Sequence, residues 1–322
     1  MHLRYQILEK IRGSKKAVSG QALSNELNIT RTAIWKHIKQ LRKEGYNITA
    51  KPRVGYRLKK IPDLLLSQEI KRNLDTDFIG INIINYPKIS STISVAKRMA
   101  KKGFPDGTVI VAEQQTFGKG RLGRKWESPK GGIWASVILR PKMSPSEIVK
   151  LNMVVSLAIV KAIKDVTGIQ TEIKWPNDVL YQGSKVAGVL TEVDTEIDSV
   201  NYAIVSFGIN VNNKLDKLSA NVQETATSIQ EIKGKKVKRL ALFSAILSYL
   251  EKLFIECQNS GCGEILREWK QVCLTIGQEL TIKTVEKQYQ GKAIDIDDLG
   301  RLVLDTDDGQ TVALLSGDIV SS

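Results

Sequence analysis

Histidine is the scarcest functional residue in this chain: His2 and His37 are the only two among 322 residues. That argues against imidazole acid–base chemistry and histidine-ligated metal sites anywhere past the first forty positions. Cysteine is nearly as rare. Cys257, Cys262 and Cys273 form neither a C-x-x-C motif nor an even-numbered framework, so they are expected to be free thiols in or near the core, and no structural metal is expected. No apolar run approaches the roughly 18 residues of a membrane span, and candidates such as Val154 to Val160 are core-sized. The opening residues Met1-His2-Leu3-Arg4-Tyr5-Gln6 make no signal-peptide apolar stretch. The expectation is a soluble, cytoplasmic protein with no membrane partner, whose chemistry relies on lysine, arginine, carboxylates and backbone amides.

What is plentiful is positive charge, and it is unevenly spread. The net charge is +14, of which residues 1–63 supply +11 (15 Lys and Arg against 4 Asp and Glu). The remaining 259 residues are nearly neutral, at +3. A basic module attached to a neutral body points to a polyanionic partner.

The module has its own pattern. Leu3, Ile7, Leu8 and Ile11 recur at helical spacing, and Ser19 can cap a helix over Gln21–Leu27. Thr30 can cap a third helix reaching about Glu44, ended by Gly45. Tyr46–Ala50 and Gly55–Leu58 then read as two strands around a basic tip at Lys51-Pro52-Arg53-Val54. Three short helices and a hairpin make a winged helix-turn-helix. Its third helix offers Arg31, Thr32, Trp35, Lys36 and Lys39 to a DNA major groove, and Arg53 to phosphate or a minor groove. Trp35 reads equally well as a residue packed beneath the helix.

Beyond Pro62, strand-like runs outnumber helical ones: Ile81–Tyr86, Thr108–Glu113, Gly132–Arg140, Glu172–Trp175, Val186–Val193 and Tyr202–Val211. A helix is expected after Ser67, another over Val95–Lys102, a long one between Pro145 and Thr167, and a late pair over Arg239–Cys257 and Cys262–Gln271. This is an α+β pattern with a mixed sheet. After Gly277, short strands with Gly and Asp turns predict a small β-barrel. The expected domains are residues 1–62, 63–274 and 275–322.

Two stretches carry the chemistry. Gly118, Gly120 and Gly123 match G-x-G-x-x-G after a strand, but Glu127-Ser128-Pro129-Lys130-Gly131-Gly132 cannot hold the helix a dinucleotide fold requires. There remains a glycine-rich loop with Lys119, Arg121, Arg124 and Lys125, suited to an anionic phosphate-bearing ligand, or else simply a basic surface loop. Trp126 either stacks on a purine or anchors the loop. The second stretch is Lys174-Trp175-Pro176-Asn177-Asp178, followed by Lys185 at the start of an apolar strand. An inward ammonium meeting a ligand and an ordinary edge lysine beside an Asn-Asp turn both fit it.

Together these motifs closely resemble the bifunctional biotin–protein ligase and biotin-operon repressor family of bacteria. The matching segments are Gln114-Gln115-Thr116 with the loop to Trp126, Lys174–Asp178, Lys185–Leu190, Phe207–Val211, Ser91-Thr92, Ala226–Ile229 and Gly317-Asp318. They run in order along essentially the whole chain. Lys119, Phe117 and Ile93 depart from the usual arginine, small residue and asparagine; lysine keeps the charge but not the planar fork.

The resemblance implies a class II synthetase-like biotin–lipoate ligase domain and an SH3-like C-terminal barrel. It implies adenylation of biotin by ATP with Mg²⁺, then transfer to a lysine of the biotin carboxyl carrier domain of acetyl-CoA carboxylase or a related carboxylase. By the same resemblance Lys185 and Arg121 are catalytic, and Ser91, Thr92, Gln115, Gly118, Lys119, Arg121, Lys185 and Gly188 meet biotin. Arg121, Arg124, Trp126, Asn177, Asp178, Lys185 and Asn210 meet the nucleotide. The magnesium ligand is left open, with Asp178 as the candidate. Operator DNA and a ligand-induced homodimer complete the implied partners. The competing readings are a lipoate–protein ligase and a catalytically silent biotin-sensing repressor.

Overall fold

The computed structural model describes residues 2–321. They form two compact units, one ending at Leu64 and the other beginning at Leu65.

The first unit is α1 (Leu3–Gly13), α2 (Gly20–Leu27), α3 (Arg31–Lys43), β1 (Asn47–Lys51) and β2 (Gly55–Lys60). Its helices begin where the sequence places caps: the Ser19 hydroxyl accepts from Ala22 N–H, and Thr30 from Ala33 N–H. Asn28 in the left-handed region turns the chain between them. Ile7, Leu8, Ile11, Leu23, Ile34, Ile38 and Leu41 close a small core, and β1 and β2 pair antiparallel as a wing. Trp35 is half exposed, so it lies on the outer side of α3 and not beneath it.

The second unit opens with α4 (Ser67–Arg72), β3 (Ile83–Tyr86), α5 (Thr92–Lys101), β4 (Val109–Ala112), β5 (Gln115–Lys119), β6 (Lys125–Ser128) and β7 (Ile133–Leu139). It continues with α6 (Lys150–Thr167), β8 (Glu172–Lys174), β9 (Asp178–Tyr181), β10 (Ser184–Thr195) and β11 (Val200–Ile209). Four helices follow, α7 (Ala220–Thr225), α8 (Ile229–Lys233), α9 (Arg239–Ser260) and α10 (Gly263–Gln271). The chain ends in β12 (Glu279–Lys283), β13 (Gln288–Ile296), β14 (Leu302–Thr306), β15 (Thr311–Leu314) and β16 (Asp318–Ser321).

A seven-stranded sheet in the order β3-β4-β7-β11-β10-β9-β8 forms the centre. Strands β3 and β4 run parallel and the other pairings are antiparallel, a mixed sheet as expected. Alternation along the strands sorts its two faces. Val109, Val111, Ala135, Val137 and Val205 join the core with α6 and α9. Ile110, Ile138 and Ile204 face the other way, onto Ile93, Ala96 and Ala100 of α5. The last five strands form a separate antiparallel sheet in the order β15-β14-β13-β12-β16.

Three local expectations need correction. The glycine-rich segment is no open loop: β5 and β6 pair across a 3₁₀ turn at Arg121–Gly123. Asp178, read as part of a turn, begins strand β9. Cys257 and Cys262 are not free thiols but a disulfide, because the turn at Gly261 brings their Cα atoms to 4.4 Å. Cys273 remains free, and burial pushes its thiol pKa up.

Glu251 of α9 pins the segment before β3. Its carboxylate accepts the N–H groups of Asp77, Phe78 (2.9 Å) and Ile79 (2.7 Å), while Phe78 packs on Phe254. Glu251→Ala would leave these donors without an acceptor, at a cost of about 3 kcal/mol. Urea unfolding should show a lowered midpoint at unchanged m-value, and an unmoved midpoint would contradict this.

Candidate functional site

The α5-facing side of the sheet changes character along the strands. Register aligns Ile138 with Ile204, then Ser136 with Ser206 and Leu190, then Trp134 with Gly208 and Gly188. Isoleucines give way to hydroxyls beneath the first turn of α5, where Ser136 meets Thr92, and then to the glycines of β10 and β11. The cavity opens over this transition.

Its hydroxyl floor is a connected network. The Gln115 side-chain carbonyl accepts from Thr92 N–H (2.8 Å) and the Thr92 hydroxyl (3.1 Å), while its amide donates to Ser128 Oγ (2.9 Å). The Ser136 hydroxyl donates to Thr92 Oγ1 (2.8 Å) and meets Ser206 Oγ at 2.8 Å. Ser128, Ser136 and Ser206 were missed in the sequence, where the only signal is a lone hydroxyl inside apolar runs such as Ile133–Leu139.

Glycine allows the indole of Trp126 to lie flat on the sheet. A Cβ on Gly208 would stand 2.4 Å from Trp126 Nε1 and 2.6 Å from Cε2, and one on Gly188 would stand 2.9 Å from Cζ3. The Lys185 ammonium lies 5.1 Å from the centre of the Trp126 ring. Trp126 Nε1 is buried with no hydrogen-bond partner among the described residues, and so is Ser91 Oγ. Gly118 also permits close approach, since a Cβ there would meet the Trp126 carbonyl at 2.3 Å.

Lys119, Arg121, Arg124, Lys125 and Lys185 line the cavity against two carboxylates, Asp178 and Asp318. Three of these cations are already held by protein oxygens. Lys185 pairs with Asp178 at 2.7 Å, and Arg124 forks onto Asp318. Arg121 donates to Asn177 Oδ1 (3.1 Å) and the Gly317 carbonyl (3.3 Å). Burial lowers the Arg121 pKa from its ordinary value; Asp318 and Asp178 oppose that, and Arg124 adds to it. These oxygens mark positions that an anionic ligand would take over. The cavity, about 170 Å³ with Trp126 in place, is small beside the roughly 300–1,000 Å³ of ligand pockets and is open to solvent.

Of the residues singled out in the sequence, Thr92, Gln115, Lys119, Arg121, Arg124, Trp126, Asn177, Asp178, Lys185 and Gly188 line this one cavity. Ser91, Gly118 and Asn210 lie outside its lining; Asn210 Oδ1 accepts from the Asn213 amide (3.0 Å). Asp318 arrives from the C-terminal sheet. In the first unit, Arg31, Thr32 and Trp35 share a concave surface with Lys51 and Arg53 of the wing, with Lys36 and Lys39 exposed on the same helix.

Gly208→Ala should expel the indole from the sheet. Acrylamide quenching of tryptophan fluorescence should rise in the folded variant; unchanged quenching would contradict the glycine argument.

Residues 86–212 match the Biotin/lipoate A/B protein ligase family, residues 3–57 an HTH domain, and residues 275–321 the Biotin protein ligase C terminal domain. The chain is 39% identical to the bifunctional ligase/repressor BirA of Bacillus subtilis over 309 residues, 95% of each chain. It is 28% identical to that of Escherichia coli, over 90% of this chain and 88% of the other. The structure resembles the biotin protein ligase of Aquifex aeolicus solved with biotin and ATP, with a TM-score of 0.65 and 30% identity over 74% of this chain and 97% of that one. The chain belongs to the bifunctional biotin–protein ligase/repressor family.

Proposed function

We propose that the protein is an ATP-dependent biotin–protein ligase that doubles as a biotin-responsive transcriptional repressor. The observation that carries this reading is the convergence of Lys185, Arg121 and Arg124 on a single cavity floored by hydroxyls and glycines. A carboxylate oxygen of biotin attacks the α-phosphorus of Mg²⁺-bound ATP, the bond to pyrophosphate breaks, and biotinyl-5′-AMP forms. The amine of a carrier lysine then attacks the acyl carbon; AMP leaves with the electron pair of the C–O bond, and the amine releases a proton to solvent. Neither step needs a protein nucleophile or histidine. Both need fixed cations where negative charge gathers.

In this reading Lys185 and Arg121 serve the carboxylate–phosphate junction, and Arg124 the departing pyrophosphate. Thr92, Gln115 and Ser91 meet the ureido ring and valeryl end, which the unpartnered Ser91 hydroxyl supports. Gly118 and Gly188 let Trp126 sit close to the backbone beside the ligand, with Lys119 at the rim. Trp126 forms the adenine wall, its orphaned Nε1 gaining a partner, and Asn177 and Asn210 complete the nucleotide's polar surroundings. Asp178 and Asp318, the cavity's two carboxylates, suit the magnesium that ATP brings.

The proposed division is residues 1–62, 63–274 and 275–322: a DNA-binding head, a class II synthetase-like catalytic domain, and an SH3-like barrel built from the five C-terminal strands. Arg31, Thr32, Trp35, Lys36 and Lys39 enter the major groove while Arg53 reaches the backbone or minor groove. Two heads on a two-fold operator require a ligand-favoured homodimer. The acceptor is the biotin carboxyl carrier domain of acetyl-CoA carboxylase or a related carboxylase. Cytoplasmic location fits this partner; among the described residues no helix is long and apolar enough to cross a membrane.

The direct test is incubation with ATP, Mg²⁺, biotin and a carrier domain, followed by mass measurement. Covalent biotin on one carrier lysine is expected, and an unmodified carrier refutes the ligase reading. Lys185→Ala should slow adenylate formation roughly 10²-fold in a folded protein. Arg121→Gly should release the activated ester, so that streptavidin blots show labelling of bystander proteins; clean blots with retained adenylate would refute its role.

A further inference from the structure

Glu113 and Arg239 stand outside the cavity, yet both feet of the ligand hairpin rest on them. Glu113 follows β4 at the hairpin's entry, and Gly132 precedes β7 at its exit. Arg239, at the start of α9 and only 2% exposed, donates from one nitrogen to the Gly132 carbonyl (2.9 Å) and pairs through the other with a Glu113 oxygen (2.9 Å). The second Glu113 oxygen accepts the N–H of Leu65 at 2.7 Å. Leu65 is the first residue of the second unit. One buried ion pair thus joins entry, exit and the landing point of the segment leading from the first unit.

We propose that this Glu113–Arg239 pair is a positioning device that transmits the state of the ligand hairpin to the tether of the DNA-binding head; the proposal rests on the repressor reading above. Buried ion pairs are a poor route to stability alone, because well-packed apolar residues serve as well or better; registry and switching are their best-attested uses. Coupling also needs an element with two states. The hairpin supplies it. Phe117 and Leu122 are 71% and 65% exposed, and its Arg121 and Arg124 are held by internal oxygens that an anionic ligand would replace with its own. Gln115, two residues beyond Glu113, is hydrogen-bonded to the floor of the cavity, so ordering at the ligand fixes the entry foot directly.

The test uses the full-length protein and its operator at one salt concentration, and reads the ratio of operator affinities with and without biotin plus ATP. Arg239→Lys keeps the charge but loses the fork that reaches both Glu113 and Gly132. Glu113→Gln keeps an acceptor for Leu65 and weakens the hold on Arg239, and it decides the matter if the first variant does not fold. Allosteric ratios of about 5–150-fold are usual; the ratio should fall toward one in both folded variants while pyrophosphate release with biotin persists. A wild-type ratio in a folded variant, even one of lowered melting temperature, would make the pair purely structural and overturn the proposal. A ratio of one in the unmutated protein would instead defeat the repressor reading itself.

Discussion

The site depends on a steric permission at the middle of the sheet, where Gly188 of β10 faces Gly208 of β11. No other residue lets an indole lie that close to backbone; a methyl at either position would collide with Trp126. The Trp126 ring in turn meets the Lys185 ammonium, and Lys185 meets Asp178. From that point the cation pairs run outward through Arg121 to Asn177 and Gly317, and through Arg124 to Asp318. The ligand-free cavity is thus a set of oriented charges whose partners are internal. An anionic ligand bound there would exchange one set of oxygens for another and would not strip bare ions from water, so the desolvation cost of assembling the site would lie inside the folding free energy.

The same arrangement makes the β5–β6 hairpin the part that ligand binding would reorder. Its residues between Phe117 and Lys125 are mostly exposed and include three glycines, and the two strands are held to each other across the turn. The feet are the opposite case: Glu113, Gly132 and Arg239 are tied by charge-assisted hydrogen bonds in a largely buried setting. An exposed span on buried abutments is what a closing ligand loop requires. It also places the root of the tether, Leu65, at one abutment.

Much of this was legible in the sequence because its signals are local. Ser19 and Thr30 announce their helices by capping, the 3.6-residue spacing of Ile7, Ile11, Ile34 and Ile38 defines the head core, and the charge imbalance separates head from body. Of the two motifs singled out, Lys119–Arg121, Arg124–Trp126, Asn177 and Asp178 line one cavity. What escaped depends on register or distance. Ser136 and Ser206 become a floor only because β7 and β11 align them, and Asp318 meets Arg124 across 194 residues of chain. Glycines in the hairpin hid its strand pairing, and the pairing of Cys257 with Cys262 depends on a left-handed Gly261 that spacing alone does not reveal.

The central claim is that these cations assemble around a carboxylate meeting the α-phosphate of ATP. Exchange of labelled pyrophosphate into ATP isolates that step, since it needs neither carrier nor DNA. The account predicts exchange that depends strictly on added biotin and Mg²⁺. A folded protein showing no exchange, or the same exchange without biotin, would contradict it.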